Sequence, residues 1–278
     1  MTPPPPAPRL AVHGATIGYD GHPVITDLNL EIPPRSFTVI VGPNGCGKST
    51  LLKAMARLLP PVSGRITLDG ADIRSHPSRA FARTVGLLPQ SAIAPEGITV
   101  VDLVSRGRYP HQSLFRPWST EDERAVRDAL EATSTEEFAS RRVDELSGGQ
   151  RQRVWIAMVL AQQTPVVLLD EPATFLDMAH QLELLELCAQ LHRSGRTLVA
   201  VLHDINQAAR YASHLVAMRD GVIHTQGLPS EIVTTETVGQ VFGVRARVIP
   251  DPESGTPLVV PLVGNAASTH PGARPTVA

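Results

Sequence analysis

The sequence is short of cysteine, of net charge and of long apolar runs, and each shortage removes a class of protein. Only two cysteines occur in 278 residues. Cys46 lies in a glycine-rich loop and Cys188 in the helical stretch QLELLELCAQL; neither pairing nor metal spacing is suggested, so both are expected as free thiols. Positive and negative charges nearly cancel, leaving a formal net charge of -2, which argues against a polycation held on nucleic acid by bulk electrostatics. The longest uninterrupted apolar run, Val154 to Ala161, is eight residues long, far short of the roughly 20 that a membrane-crossing helix needs. The opening MTPPPPAPRL has prolines where a secretory signal would carry a basic start and an apolar stretch, so the cytoplasm is the expected location. No internal repeat is found, and a single unit of its kind is expected.

What is present is an ordinary globular composition, 42% hydrophobic and 19% charged. At roughly 150 residues per domain, the length allows one large domain with a sub-domain, or two small ones. The proline run at Pro3 to Pro8 and the tail GNAASTHPGARPTVA are rich in Pro, Gly, Ala, Ser and Thr. Residues 1–8 and 264–278 are therefore expected as disordered tails around one ordered domain, 9–262. Short β-branched segments at Leu10 to Ile17, Asn29 to Ile32, Phe37 to Val41 and Gly64 to Leu68 read as strands. The continuous apolar runs Val166 to Asp170 and Thr197 to His203, separated by the helical pattern Gln181 to Arg193, read as strands of a parallel sheet buried on both faces. Between the two groups, residues 99–163 are mostly helical in pattern, and Ser119 with Asp122 is placed to cap a helix start.

Chemistry enters at VGPNGCGKST. The loop satisfies G-x-x-x-x-G-K-S with Gly42, Gly47, Lys48 and Ser49, after a strand and before a helix-like TLLKAMARLL, which is the context this phosphate-binding pattern requires. Its glycines let backbone N–H groups turn toward phosphate oxygens, and the helix N-terminus adds positive potential. Lys48 is expected to reach the terminal phosphates, and the Ser49 hydroxyl suits Mg2+, which takes oxygen ligands shared with a nucleotide. The run Val166 to Leu169 ends in Asp170 and Glu171, so a buried strand delivers two carboxylates to its C-terminal edge, where open α/β sheets bind ligands. Asp170 is placed for the Mg2+ shell and Glu171 for orienting or deprotonating the attacking water, since phosphoryl transfer asks for positioning and charge neutralisation. A third element, LSGGQRQR, puts Ser147, Gly148, Gly149 and Gln150 at the head of an apolar helix, a second anion-binding helix start. Alone it reads as an ordinary capped turn.

Together with VVLLDEP and a histidine after TLVAVLH, these strings resemble the ATP-binding subunit of an ABC transporter over nearly all of the ordered chain. The resemblance implies an α/β P-loop ABC ATPase cassette: an N-terminal antiparallel β part, a parallel-sheet core and a helical subdomain at about 99–163. It implies two cassettes closing on two ATP molecules with Mg2+. The P-loop residues Gly42, Pro43, Asn44, Gly45, Cys46, Gly47, Lys48, Ser49 and Thr50 of one chain then face Ser147 to Gln150 of another. Carried over residue by residue, Tyr19 stacks on adenine and Gln90 senses Mg2+ and the γ-phosphate. Asp177 crosses the dimer interface and His203 contacts the γ-phosphate, so Glu171, His203 and Gln90 are the catalytic candidates and Ser49, Gln90 and Asp170 the metal candidates. His13, His76 and His180 are left as surface or packing residues.

Within the family, RGRYPHQSLFRPWSTEDE, DEPATFLDMAHQLELLELCAQLH and LHDINQAARYASHLVAMRDGVI resemble the ATPase subunits of iron-siderophore importers and their heme and cobalamin relatives. Ala173 departs from the usual Thr or Ser, and Cys46 occupies a variable loop position. The implied assembly is a homodimer on the cytoplasmic face of the inner membrane, against two integral-membrane permeases. An external substrate-binding protein would serve it, and no nucleic acid. Arg106, Arg108, Tyr109, Phe115 and Trp118 are residue types favoured at interfaces and are expected on the partner-facing surface. The chain lacks the second cassette or long coiled-coil insertion of soluble ABC ATPases, and the fused membrane helices usual in exporters. It keeps Glu171 and His203, which a module without turnover would lose.

Overall fold

The computed structural model describes residues 9–112, 118–174 and 176–262; the expected tails, and Phe115, lie outside them. The chain begins with strands β1 (Leu10–Tyr19), β2 (His22–Ile32) and β3 (Phe37–Val41), helix α1 (Lys48–Met55), strands β4 (Ser63–Leu68) and β5 (Ala71–Asp72), helix α2 (Ser78–Ala82) and strand β6 (Val85–Leu88). Three helices follow, α3 (Val100–Ser105), α4 (Thr120–Ala132) and α5 (Gly148–Ala161), then β7 (Val166–Asp170), α6 (Met178–Arg193), β8 (Thr197–Val201) and α7 (Ile205–Tyr211). The described chain closes with β9 (His214–Arg219), β10 (Val222–Gly227), α8 (Pro229–Ile232), α9 (Thr235–Phe242), β11 (Ala246–Pro250) and β12 (Pro257–Pro261).

The early strands form an antiparallel sheet in the order β2-β1-β4-β5. The later ones form a six-stranded sheet in the order β10-β9-β3-β8-β7-β6, parallel from β9 to β6 and closed by antiparallel β10. An antiparallel N-terminal part and a parallel core were both expected. Side chains of a strand alternate between faces, and here each face has its own core. Phe37, Val39 and Val41 of β3, Val167 and Leu169 of β7, and Leu198 and Ala200 of β8 pack with α3 to α7. Ile40, Val166, Leu168, Val199 and Val201 pack with α1 and the antiparallel sheet. That double burial is why β7 and β8 are uninterrupted apolar runs. β8 ends at Val201, two residues before the expected end, because Asp204 caps α7 by accepting the N–H groups of Asn206 and Gln207.

Between β6 and β7 stand α3, α4 and α5. Ser119 and Asp122 form the expected capping box at the head of α4, whose buried Ala125, Val126, Ala129 and Leu130 follow one helical face. Arg108 corrects the interface expectation. It is 1% exposed; its Nε lies 2.8 Å from Asp122 Oδ1, and Nη1 donates to Ala161 O and Gln163 Oε1 at 2.8 and 3.0 Å. A buried guanidinium requires a carboxylate and carbonyls around it, and that requirement takes Arg108 off the surface. Arg106, Tyr109 and Trp118 are exposed. Cys46 and Cys188 are both free and buried, and burial pushes the Cys188 thiol up to about 12. No helix among the described residues is long and apolar enough to cross a membrane.

Candidate functional site

β3 runs into the glycine loop and α1 leaves it, so the loop is gripped at both ends by core elements. Gly42 sits at φ +152, where a Cβ would come within 2.1 Å of Met218 O, and Gly47 sits at φ +102 against Ile25. The first position therefore excludes any side chain by collision with backbone and the second by conformation. α1 starts without a side-chain cap, so its first N–H groups rely on the loop and on whatever the loop holds. Lys48, 5% exposed, donates from Nζ to Gly42 O and Pro43 O, both at 2.8 Å. Among the described residues, no carboxylate stands within salt-bridge distance of that ammonium. A sequestered cation beside an open helix start is an anion site.

β7 supplies the opposing charge. Asp170, 1% exposed, accepts the Ser49 hydroxyl at 2.8 Å. Burial pushes its carboxyl above the ordinary range, with neighbouring Glu171 adding to the effect and Ser49, Lys53 and Lys48 opposing it. Glu171 turns off the strand in the left-handed region at φ 52, a conformation costly for a non-glycine residue and concentrated at functional sites. Three groups converge on one of its oxygens. Gln90 Nε2 donates to Oε2 at 2.8 Å, His203 Nε2 stands 2.7 Å from it, and Thr174 Oγ1 donates at 3.3 Å. Among the described residues Oε1 takes no bond. Gln90 follows β6, Glu171 follows β7 and His203 follows β8, so three adjacent parallel strands deliver one cluster at their carboxyl ends.

A cleft of about 360 Å³ joins the loop to this cluster, lined by Val24, Asn44, Gly45, Gly47, Lys48, Ser49, Thr50, Gln90, Glu171 and His203. Tyr19 is outside that lining, 42% exposed at the end of β1. Ser147, Gly148, Gly149 and Gln150 are outside it too. Ser147 caps α5 by accepting the Gln150 N–H at 3.2 Å, and the Gln150 side chain accepts the Ser147 N–H at 3.0 Å. Asp177 caps α6, accepting the His180 N–H, and pairs with His180 Nδ1 at 2.8 Å. That contact gives His180 a partner at the start of α6 that its sequence context did not signal. Val24 and Thr174 were also missed: Val24 on the exposed-looking strand HPVITDLNLEI, and Thr174 as one residue of a turn. Only the position of Thr174, three residues after Glu171, hinted at it.

Comparison with known proteins identifies the family. The family model described as ABC transporter matches residues 25–174. The ferric enterobactin transport ATP-binding protein FepC of Escherichia coli (strain K12) is 55% identical over 262 residues, covering 94% of this chain and 97% of that protein. The achromobactin transport ATP-binding protein CbrD of Dickeya dadantii (strain 3937) is 50% identical over 264 residues, 95% of this chain and 97% of that one. Among solved structures, the dimeric structure of MJ0796, a bacterial ABC transporter cassette, is 27% identical with a TM-score of 0.71, covering 79% of this chain and 98% of that one. A glycine cradle and a carboxylate cluster joined by one cleft, in a chain matched by that model over more than half its length, mean that this protein belongs to the ABC transporter family and is an ATP-binding cassette, an ATPase.

Proposed function

We propose that the chain energises the import of ferric siderophores. It works as a homodimer on the cytoplasmic face of the inner membrane beneath two permease subunits, and an external binding protein supplies the cargo. Residues 9–262 act as one ABC domain whose segment 99–163 is a helical insert. The observation that carries the reading is the 55% identity over nearly both full lengths with a ferric enterobactin transport protein, in a chain whose cleft has the parts for hydrolysis. A cobalamin import protein of Halobacterium salinarum is 40% identical, and the match covers 63% of that protein; cobalamin and heme remain the cargoes to test against.

The donor set fits Mg2+: a hydroxyl at Ser49, a carboxylate at Asp170 and an amide at Gln90 offer hard oxygen ligands, with Ser49 and Asp170 already 2.8 Å apart. When bound, the ion supplies charge neutralisation at phosphate oxygens. Lys48 and the N–H groups of Gly45 to Thr50 bind the phosphates, and Tyr19 provides a stacking face for adenine. Gln90, His203 and Thr174 hold Glu171 by Oε2, which leaves Oε1 to orient a water and take its proton. His203 contacts the γ-phosphate in this reading. Ser147 to Gln150 and Asp177 serve the nucleotide of the second chain, which explains their absence from the lining of their own cleft.

The purified protein tests the chemistry: Lys48→Ala loses ATP binding, whereas Glu171→Gln binds ATP but turns over about 100- to 10,000-fold more slowly. Near-normal hydrolysis by Glu171→Gln overturns the assignment of the base. For the cargo, deleting the gene stops growth on a ferric siderophore as sole iron source, and Glu171→Gln fails to rescue it. Intact siderophore uptake with lost cobalamin or heme uptake would transfer the protein to that branch.

A further inference from the structure

Behind Glu171 and His203 lies a second, smaller cavity of about 90 Å³, and two glutamines on its wall, Gln181 of α6 and Gln207 of α7, form a bridge. Gln181 Nε2 donates to Ala173 O at 3.2 Å and to Leu176 O at 3.0 Å. An amide facing two carbonyls must present its nitrogen to them, so its oxygen faces away, and there it accepts Gln207 Nε2 at 3.1 Å. One side chain thus holds Ala173, in the turn that starts at Glu171, and Leu176, and ties both to the helix that follows His203.

α7 is itself held from the opposite end. Asn206 forms two bonds with the backbone of β12, donating to Val259 O at 3.2 Å and accepting the Val259 N–H at 2.7 Å. One turn on, Arg210 pairs with Asp251 at 2.7 Å. The β11–β12 hairpin therefore fixes α7, α7 fixes Gln207, and Gln207 orients the amide that holds the turn carrying Glu171.

We propose that Gln181 and Gln207 are positioning residues for hydrolysis: the bridge keeps Glu171 and His203 in register across two separate helices. The proposal rests on the roles given above to Glu171 and His203. It differs from simple stabilisation because polarity matters. Gln207 must donate, since an acceptor there would draw the Gln181 nitrogen off the carbonyls of Ala173 and Leu176.

The test uses the full-length protein and varies that polarity. Gln207→Glu replaces a donor by an acceptor of the same length, and kcat is expected to fall about 10- to 100-fold, the usual result of moving a catalytic group by a fraction of an ångström to one ångström. ATP affinity stays within about twofold, because the glycine loop is untouched. Gln207→Lys keeps a donor of similar reach and retains most of kcat. Gln181→Leu, which removes both halves of the bridge, falls with Gln207→Glu. Wild-type kcat in Gln207→Glu, or a Gln207→Lys variant no better than Gln207→Glu, overturns the proposal. So does a lower melting temperature with unchanged turnover per folded molecule. If Glu171→Gln itself hydrolyses normally, the underlying catalytic assignment fails instead, so the two failures are told apart.

Discussion

Two helix starts in this chain begin at glycines, and they differ in what surrounds them. At α1 the glycine loop has no side-chain cap, a buried lysine and a cleft leading to Asp170, Glu171, Gln90 and His203. At α5, Ser147 and Gln150 satisfy each other across the helix start and lie outside that cleft. The first brings an uncapped helix start, a buried lysine and a carboxylate cluster together within one chain. The second has a helix N-terminus and glycines, and in the function proposed above it serves a nucleotide held by another chain. The steric demands separate in the same way. A Cβ on Gly42 collides with Met218 O, whereas a Cβ on Gly148 meets nothing within 4 Å. The fold requires the glycine at position 42 and leaves room for a side chain at position 148.

The sharpest way to break this comparison is to put alanine at both glycines. Gly42→Ala must move a core strand or distort the loop, and it is expected to abolish ATP binding and lower the melting temperature. Gly148→Ala should leave the melting temperature and ATP binding of the monomer unchanged. Glu171→Gln is expected to dimerise with MgATP in size-exclusion chromatography, and adding Gly148→Ala should abolish that dimer. Reduced ATP affinity in monomeric Gly148→Ala would mean that the two helix starts are not independent.

A third helix start gives an effect of intermediate size. α4 carries a capping box like that of α5, yet its Asp122 also neutralises buried Arg108. Asp122→Ala leaves a buried guanidinium without its carboxylate and is expected to cost about 3–5 kcal/mol, measured by urea denaturation. Ser147→Ala removes an exposed cap and is expected to cost about 1 kcal/mol, and if Ser147 serves the second chain's nucleotide as proposed, hydrolysis falls as well. Equal costs for the two would remove the distinction between a cap that faces the core and one that faces a partner.

The sequence announced what is buried on two faces or turned by glycine. Val166 to Asp170 is legible to the residue because every position is apolar until the carboxylate, and Gly42 and Gly47 because few other residues fit there. The roles of Gln181 and Gln207 were not legible: glutamine on a helix reads as solvent-facing until the fold brings two of them together. Arg108 was misread for the same reason, since its burial depends on Asp122 and Ala161, 14 and 53 positions away. The C-terminal hairpin was also missed, although ARVIP and PLVVP flank the turn signal DPESG.

The smallest expected effect concerns pH. Asp251 holds the hairpin turn and Arg210 of α7, and its carboxyl is lowered to about 2, first by the Ser254 N–H, then by Arg210 and the Glu253 N–H. A carboxyl whose pKa is depressed in the folded state adds stability above its unfolded value of about 4, and that stability disappears as the pH falls toward 2. Asp251→Asn should therefore melt below the wild type at pH 6, and the gap should close between pH 4 and pH 2. The α5 start offers the control, because neither Ser147 nor Gln150 titrates: the gap produced by Ser147→Ala should keep the same size across the range. The α1 side would then be tied through α7 to an acid-sensitive clamp and the α5 side would not. A pH-independent gap for Asp251→Asn would show that the turn, rather than the charge, holds the hairpin against α7.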